Sequence, residues 1–123
     1  MEKSKVDLAA SLCILVGAGP VSCPDDIRSA YSNGKSYICA VDGGFDKLQG
    51  LSIRPDLFVG DFDSTLATKD TVARSVAEIA GLPSRKDQTD LEAALTILAK
   101  RGARNFRIYG ALGGDRLDFA LSN

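Results

Sequence analysis

Asp56-Leu57-Phe58-Val59-Gly60-Asp61-Phe62-Asp63-Ser64 holds the pattern that decides the fold. The apolar run Leu57 to Gly60 reads as a short buried strand, and it leads directly into GDFDS, where two aspartates stand one residue apart. Neighbouring carboxylates repel, so the arrangement is costly unless water, hydrogen bonds or a cation compensates. If the extended conformation continues, Asp61 and Asp63 point to the same side, because side chains alternate along a strand. Mg2+ takes carboxylate oxygens when it also holds phosphates, and Ser64 adds a hydroxyl. The alternative is a turn, in which Asp and Ser serve only to start the next helix.

Outward from this stretch, strand-like runs alternate with helical patterns. Leu12 to Val16 and Ser36 to Val41 read as strands, the second closed by Asp42-Gly43-Gly44. Pro24 to Tyr31 is a helix with Pro24 in its first turn and Asn33-Gly34 at its end. Phe45 to Leu51 is a short helix, Ala67 to Val76 is helical, and Ala77 to Leu82 reads as a short strand. Thr89 to Arg101 is the clearest helix. Leu91, Ala94, Leu95 and Leu98 follow the i, i+3, i+4, i+7 rule, Thr89 and Glu92 form a capping box, and Gly102 is the stop. Asn105 to Tyr109 is a strand, and a last helix is expected from near Arg116.

Alternation of this kind predicts an α/β fold of three layers, a mostly parallel sheet with helices on both faces (Rossmann-like). Ligands of such sheets bind outside the carboxyl ends of the strands. Gly17-Ala18-Gly19, Asp42-Gly43-Gly44, Asp61-Phe62-Asp63 and Gly110 to Gly114 all follow predicted strands and should gather along one edge.

Composition narrows the chemistry. The 123 residues suit one domain, and 45% apolar residues suffice for a core. A net charge of -1 argues against bulk electrostatic binding to nucleic acid or an anionic membrane. Cys13, Cys23 and Cys39 show no CxxC spacing, and Cys13 and Cys39 sit in apolar runs, as buried thiols do. Histidine is absent, which removes Cys/His zinc sites and every His-based relay. Lys3 and Lys5 ahead of Leu8 to Val16 superficially resemble a secretory signal, but Asp7 interrupts the apolar region and no small-residue cleavage site follows. A first core strand and a cytoplasmic protein are the expectation. No stretch is long enough to span a membrane.

Three further motifs bear on the site, each with a plain structural alternative. In KDQTDLE, Lys86 to Glu92, a well-made helix start accounts for Thr89, Asp90 and Glu92, but not for Lys86 and Asp87. Beside GDFDS, Asp90 would become a third acidic ligand. In GALGGDRLD, Gly110 to Asp118, glycines let backbone N–H groups approach a phosphate, and Arg116 could neutralise its oxygens. An ordinary turn with an Arg–Asp surface pair explains it equally. Asp42-Gly43-Gly44 is either a sharp turn or a nucleotide contact at a strand end. Together these features suit phosphoryl or pyrophosphoryl transfer, where catalysis is mainly positioning and charge neutralisation.

The order DGG, IRPDLFVGDFDS, KDQTDLEAAL, GALGGDRLDFALSN resembles thiamine pyrophosphokinase from about Val41 to Asn123. The resemblance implies transfer of the terminal pyrophosphoryl group of ATP to the hydroxyl of thiamine, giving thiamine diphosphate and AMP. It implies that Asp61, Asp63 and Asp90 are catalytic and hold Mg2+ against the triphosphate. Asp42, Gly43, Gly44, Ser64, Lys86, Asp87, Thr89, Gly113, Gly114, Arg116 and Asp118 would line the nucleotide site. A carboxylate such as Asp63 or Asp90 could accept the hydroxyl proton.

Two departures stand out. Such enzymes usually carry His where this chain has Phe119, and Asp115 separates Gly114 from Arg116. They also continue into a second, all-β domain that helps form the thiamine site, commonly at a dimer interface. Residues 1–123 are therefore expected to be a single α/β nucleotide-binding catalytic domain without that all-β domain, binding thiamine poorly, with a homodimer among the expected assemblies. The alternatives are a related pyrophosphokinase acting on another acceptor, such as a hydroxymethylpterin, and a non-catalytic ATP-binding domain.

Overall fold

The computed structural model describes residues 8–60, 69–81, 89–112 and 115–121. In chain order the elements are β1 (Leu12–Val16), α1 (Pro24–Ser32), β2 (Ser36–Val41), α2 (Gly44–Gly50), β3 (Leu57–Gly60), α3 (Lys69–Ser75), β4 (Glu78–Gly81), α4 (Asp90–Lys100), β5 (Asn105–Leu112) and β6 (Asp115–Ala120). The strands form one six-stranded sheet in the order β4-β3-β2-β1-β5-β6. The pairs among β1 to β5 are parallel, and β6 is antiparallel to β5.

Side-chain alternation divides the core between the two faces. Cys13, Leu15, Cys39, Val41, Leu57, Val59, Phe106 and Ile108 face α4, which contributes Ala93, Ala94 and Leu98. Ile14, Val16, Ile38, Ala40, Phe58 and Tyr109 face α1, α2 and α3, which contribute Ile27, Ala30, Phe45, Leu48 and Val72. Burial on both sides explains why the central strands read as continuous apolar runs. Cys13 and Cys39 are buried and free, whereas Cys23 is exposed. Burial pushes the Cys13 thiol up to about 11, and desolvation raises Cys39 further, so both are inert packing groups.

Helix boundaries follow local chemistry. Pro24 sits at the first turn of α1, and Gly34, with φ of 75°, follows its cap residue Asn33. Thr89 caps α4 in the expected reciprocal way. Its hydroxyl accepts from Glu92 N at 3.1 Å, and its own N–H donates to Glu92 Oε1 at 2.9 Å. These bonds, led by the backbone one, hold the Glu92 carboxyl below its usual range. Gly102, at φ of 98°, ends the helix.

Two expectations are corrected. No helix begins at Arg116, where β6 runs instead. Leu117, Phe119 and Leu121 alternate with Arg116, Asp118 and Ala120, a period of two. The Phe119 ring stacks on Phe106 at 5.2 Å, and Arg107 Nε donates to Asp118 Oδ1 across the strands at 2.9 Å. Such cross-strand pairs outweigh local helical preference. The second correction concerns Gly110, which does not follow β5 but lies within it, at φ of 76°. Among the described residues, no helix is long and apolar enough to cross a membrane.

Candidate active site

The sheet changes direction of winding between β1 and β5: β2, β3 and β4 lie on one side of β1, and β5 and β6 on the other. A crevice forms outside the carboxyl ends of strands at such a switch. Here it is floored by backbone. Gly17 N donates to Tyr109 O at 2.8 Å and Gly19 N to Gly110 O at 2.7 Å. A Cβ on Gly19 would lie 2.5 Å from Gly110 O, and one on Gly110 would lie 2.5 Å from Gly17 O. These glycines are explained by the close approach of two chain segments.

Beside the crevice, β2 ends in Asp42, a buried residue held in the left-handed region at φ of 48°. Its N–H donates to Val59 O at 2.9 Å, and its carbonyl accepts from Phe45 N at 3.0 Å. Non-glycine residues held in this region tend to be found at functional sites. Gly44 lets α2 start against β1, since a Cβ there would meet Val16 O at 1.7 Å. Gly60 abuts Asp42, and a Cβ on it would lie 3.1 Å from Asp42 Cα. The residue after Gly60 in the sequence is Asp61.

The third contributor to this edge is α4, which packs on β2 and β3. Its last turn leads into Asn105, which is in register with Leu12 at the amino ends of the strands. An 11-residue helix spans about 16 Å, so Asp90, its first residue, lies at the carboxyl edge with Asp42 and Gly60. Asp90 is half-buried. The Thr89 hydroxyl next to it is engaged in the capping box.

Arg116 and Asp118 lie on β6, three strands away from β2 and therefore roughly 14 Å along the edge. They form a pair, Arg116 Nε to Asp118 Oδ2 at 3.2 Å, as the surface-pair alternative anticipates. Arg116 also reaches Asp26 on α1. Asp42 and Gly44 thus lie at the β2 end of the edge and Arg116 toward the β6 end, with the glycine floor between, while Asp118, in register with Arg107, sits further back along the strands. Asp61, Asp63, Ser64, Lys86, Asp87, Gly113 and Gly114 lie outside the described residues, as does any geometry of an Asp61–Asp63–Asp90 metal site. Among the described residues, no three His, Cys, Asp or Glu side chains are grouped to hold a metal ion. A hollow of about 460 Å3 lined by Leu12, Asn33, Ser36 and Arg107 includes neither Asp42 nor Asp90.

Asp26 and Tyr109 have no signal in the sequence. Asp26 reads as an ordinary first-turn acid of α1, and Tyr109 as an apolar strand residue. Only the pairing of β5 with β6 brings them beside Arg116.

Comparison with known proteins agrees with this architecture. The sequence matches the family described as "Thiamin pyrophosphokinase, catalytic domain" over residues 29–123. Among solved structures, a thiamin pyrophosphokinase family protein from Enterococcus faecalis is 29% identical with a TM-score of 0.64, covering 85% of this chain and 49% of that one. Thiamin pyrophosphokinase from Geobacillus thermodenitrificans is 29% identical with a TM-score of 0.61, covering 85% and 48%. Thiamine pyrophosphokinase from Bacillus subtilis is 28% identical with a TM-score of 0.60, covering 84% and 49%. The chain thus spans about half the length of the solved relatives it matches. No curated protein matches it. With the doubly covered sheet, the motif order and the match over most of its length, the chain belongs to the thiamin pyrophosphokinase catalytic-domain family.

Proposed function

We propose that this domain is the ATP-handling part of a thiamine pyrophosphokinase, moving a pyrophosphoryl group from ATP to the hydroxyl of thiamine. The observation that carries the reading is the family match over residues 29–123, which contains DGG, GDFDS, KDQTDLE and GALGGDRLD. The left-handed Asp42 beside Gly60, with Asp90 at the same edge, supports it.

In this reading the hydroxyl oxygen of thiamine attacks the β-phosphorus of ATP. The bond from that phosphorus to the oxygen bridging it to the α-phosphate breaks, AMP leaves, and the hydroxyl proton passes to a carboxylate such as Asp63 or Asp90. Mg2+ suits the available donors, which are carboxylate oxygens in a chain without histidine. Asp61, Asp63 and Asp90 would hold it, and its charge would offset that of the phosphates. Asp42, Gly43, Gly44, Ser64, Lys86, Asp87 and Thr89 would bind the nucleotide on the β2–β3 side. Gly113, Gly114, Arg116 and Asp118 would approach it from the β5–β6 side, with Arg116 offering N–H donors to phosphate oxygens.

A second reading, an ATP-binding domain that turns nothing over alone, is favoured by one feature. Phe119 occupies the position where relatives of this kind usually carry His, and it is spent on packing against Phe106. Calorimetric titration with a non-hydrolysable ATP analogue, with and without Mg2+, tests the shared part. Mg2+-dependent binding lost in Asp61→Asn/Asp63→Asn supports both readings, and binding that persists in that variant sinks the metal assignment. AMP formation with thiamine, and none with a hydroxymethylpterin, separates the enzyme from its rivals.

A further inference from the structure

Arg116 belongs to a charge cluster assembled across 90 residues of sequence. Its Nη1 donates to Asp26 Oδ2 at 2.9 Å and its Nε to Asp118 Oδ2 at 3.2 Å. The other oxygen of Asp118 accepts from Arg107 Nε at 2.9 Å. The Tyr109 hydroxyl is buried beside both guanidinium groups without a hydrogen bond of good geometry. Burial raises its pKa, and the two arginines only partly offset that rise.

Asp26 is a firm anchor. The next residue, Ile27, is fully buried under the sheet, and Ala30 one turn later is buried too. Among the described residues, the ion pairs of Arg116 run from Nη1 to Asp26 and from Nε to Asp118. Both Arg116 and Asp26 are about two-fifths exposed, so their pair contributes little to stability. Its effect is on orientation. A long side chain that is free loses rotamer freedom when it binds a ligand, and one already held loses less.

We propose that Asp26 is a positioning residue for Arg116. From α1 it clamps the guanidinium that Asp118 clamps from β6, so that the guanidinium is held in one orientation to meet a phosphate oxygen at the carboxyl edge. The inference rests on the reading of Arg116 as a phosphate ligand. Two carboxylates face two arginines in the cluster, so its advantage lies in geometry rather than in net positive charge.

The test is a double-mutant cycle on the full chain, read by calorimetric titration with Mg2+ and α,β-methylene ATP, with a melting curve for each variant. Asp26→Asn should weaken binding roughly two- to fivefold without lowering the melting temperature, and should do nothing further in an Arg116→Ala background. Unchanged or tighter binding by Asp26→Asn overturns the proposal, as does an equal loss in both backgrounds. If Arg116→Ala alone leaves affinity intact, Asp26 positions nothing and the proposal falls, while the Asp61→Asn/Asp63→Asn titration still judges the wider nucleotide reading. A folded chain that binds no analogue overturns both.

Discussion

Asp56 extends the ladder between β2 and β3 beyond its regular register: its Oδ2 accepts from Ile38 N at 2.9 Å, and its N–H donates to Ile38 O at 2.8 Å. Paired register begins only at Cys39 and Leu57, so the carboxylate serves a β2 backbone donor that lies just ahead of it. Both residues are buried. Asp56→Ala leaves the Ile38 N–H without its partner and should cost about 1–3 kcal/mol in urea unfolding. Asp56→Asn keeps an acceptor oxygen and should cost less. Equal loss in the two variants would show that charge, not the hydrogen bond, is what the position needs.

Gly44 and Gly50 bracket the same short helix but face opposite surroundings. A Cβ at Gly44 would stand 1.7 Å from Val16 O, inside the backbone of β1, whereas one at Gly50 meets nothing within 4 Å. Gly44→Ala must push α2 off the sheet and should cost about 3 kcal/mol. Gly50→Ala should be neutral or stabilise by up to about 1 kcal/mol. Thermal melting of the pair checks this, and a tolerated Gly44→Ala would mean that α2 is not seated as described.

What was legible in the sequence was whatever local chemistry dictates. The three apolar strand runs from Leu12 to Gly60 and the capping box of Thr89 with Glu92 lie where their patterns place them. The misjudged element was β6, because Leu117 to Ala120 pair with Ile108 back to Asn105, and the segment takes its conformation from Phe106 and Arg107. Asp42 was visible as a residue at a strand end, but not its left-handed backbone, which follows from the turn into α2 and from Gly60 alongside. The contact of Asp26 with Arg116 has no sequence signature at all, since nothing in either neighbourhood refers to the other.

At the opposite edge of the sheet, Arg101 after α4 makes a two-pronged pair with Glu78 of β4, at 2.9 and 2.7 Å. The hydrogen bonds from Arg101 hold the Glu78 carboxyl below its ordinary value of 4.5. A depressed folded pKa means stability that is present above 4.5 and lost as pH falls through the lower folded value. Both side chains are about two-fifths exposed, so solvent limits the effect at pH 7 to less than about 1 kcal/mol. Glu78→Gln should therefore cost little at neutral pH and flatten part of the decline in stability below pH 4.5. An acid limb identical to that of the parent protein would remove Glu78 from the account.

Asp42 joins stability to the proposed activity. At φ of 48° its backbone is in a conformation that glycine adopts freely and alanine does not. Asp42→Gly and Asp42→Ala delete the same carboxylate, so both should weaken binding of the Mg2+–ATP analogue to a similar degree. They should differ in stability, with the glycine variant about 1 kcal/mol more stable than the alanine variant. Chemical unfolding and calorimetric titration of the two variants separate the roles. Equal stability would deny the strained turn, while unimpaired nucleotide binding in both would leave Asp42 a residue of the turn alone. The combination expected here, equal loss of binding and unequal stability, would mean that the left-handed backbone is kept for the carboxylate it carries.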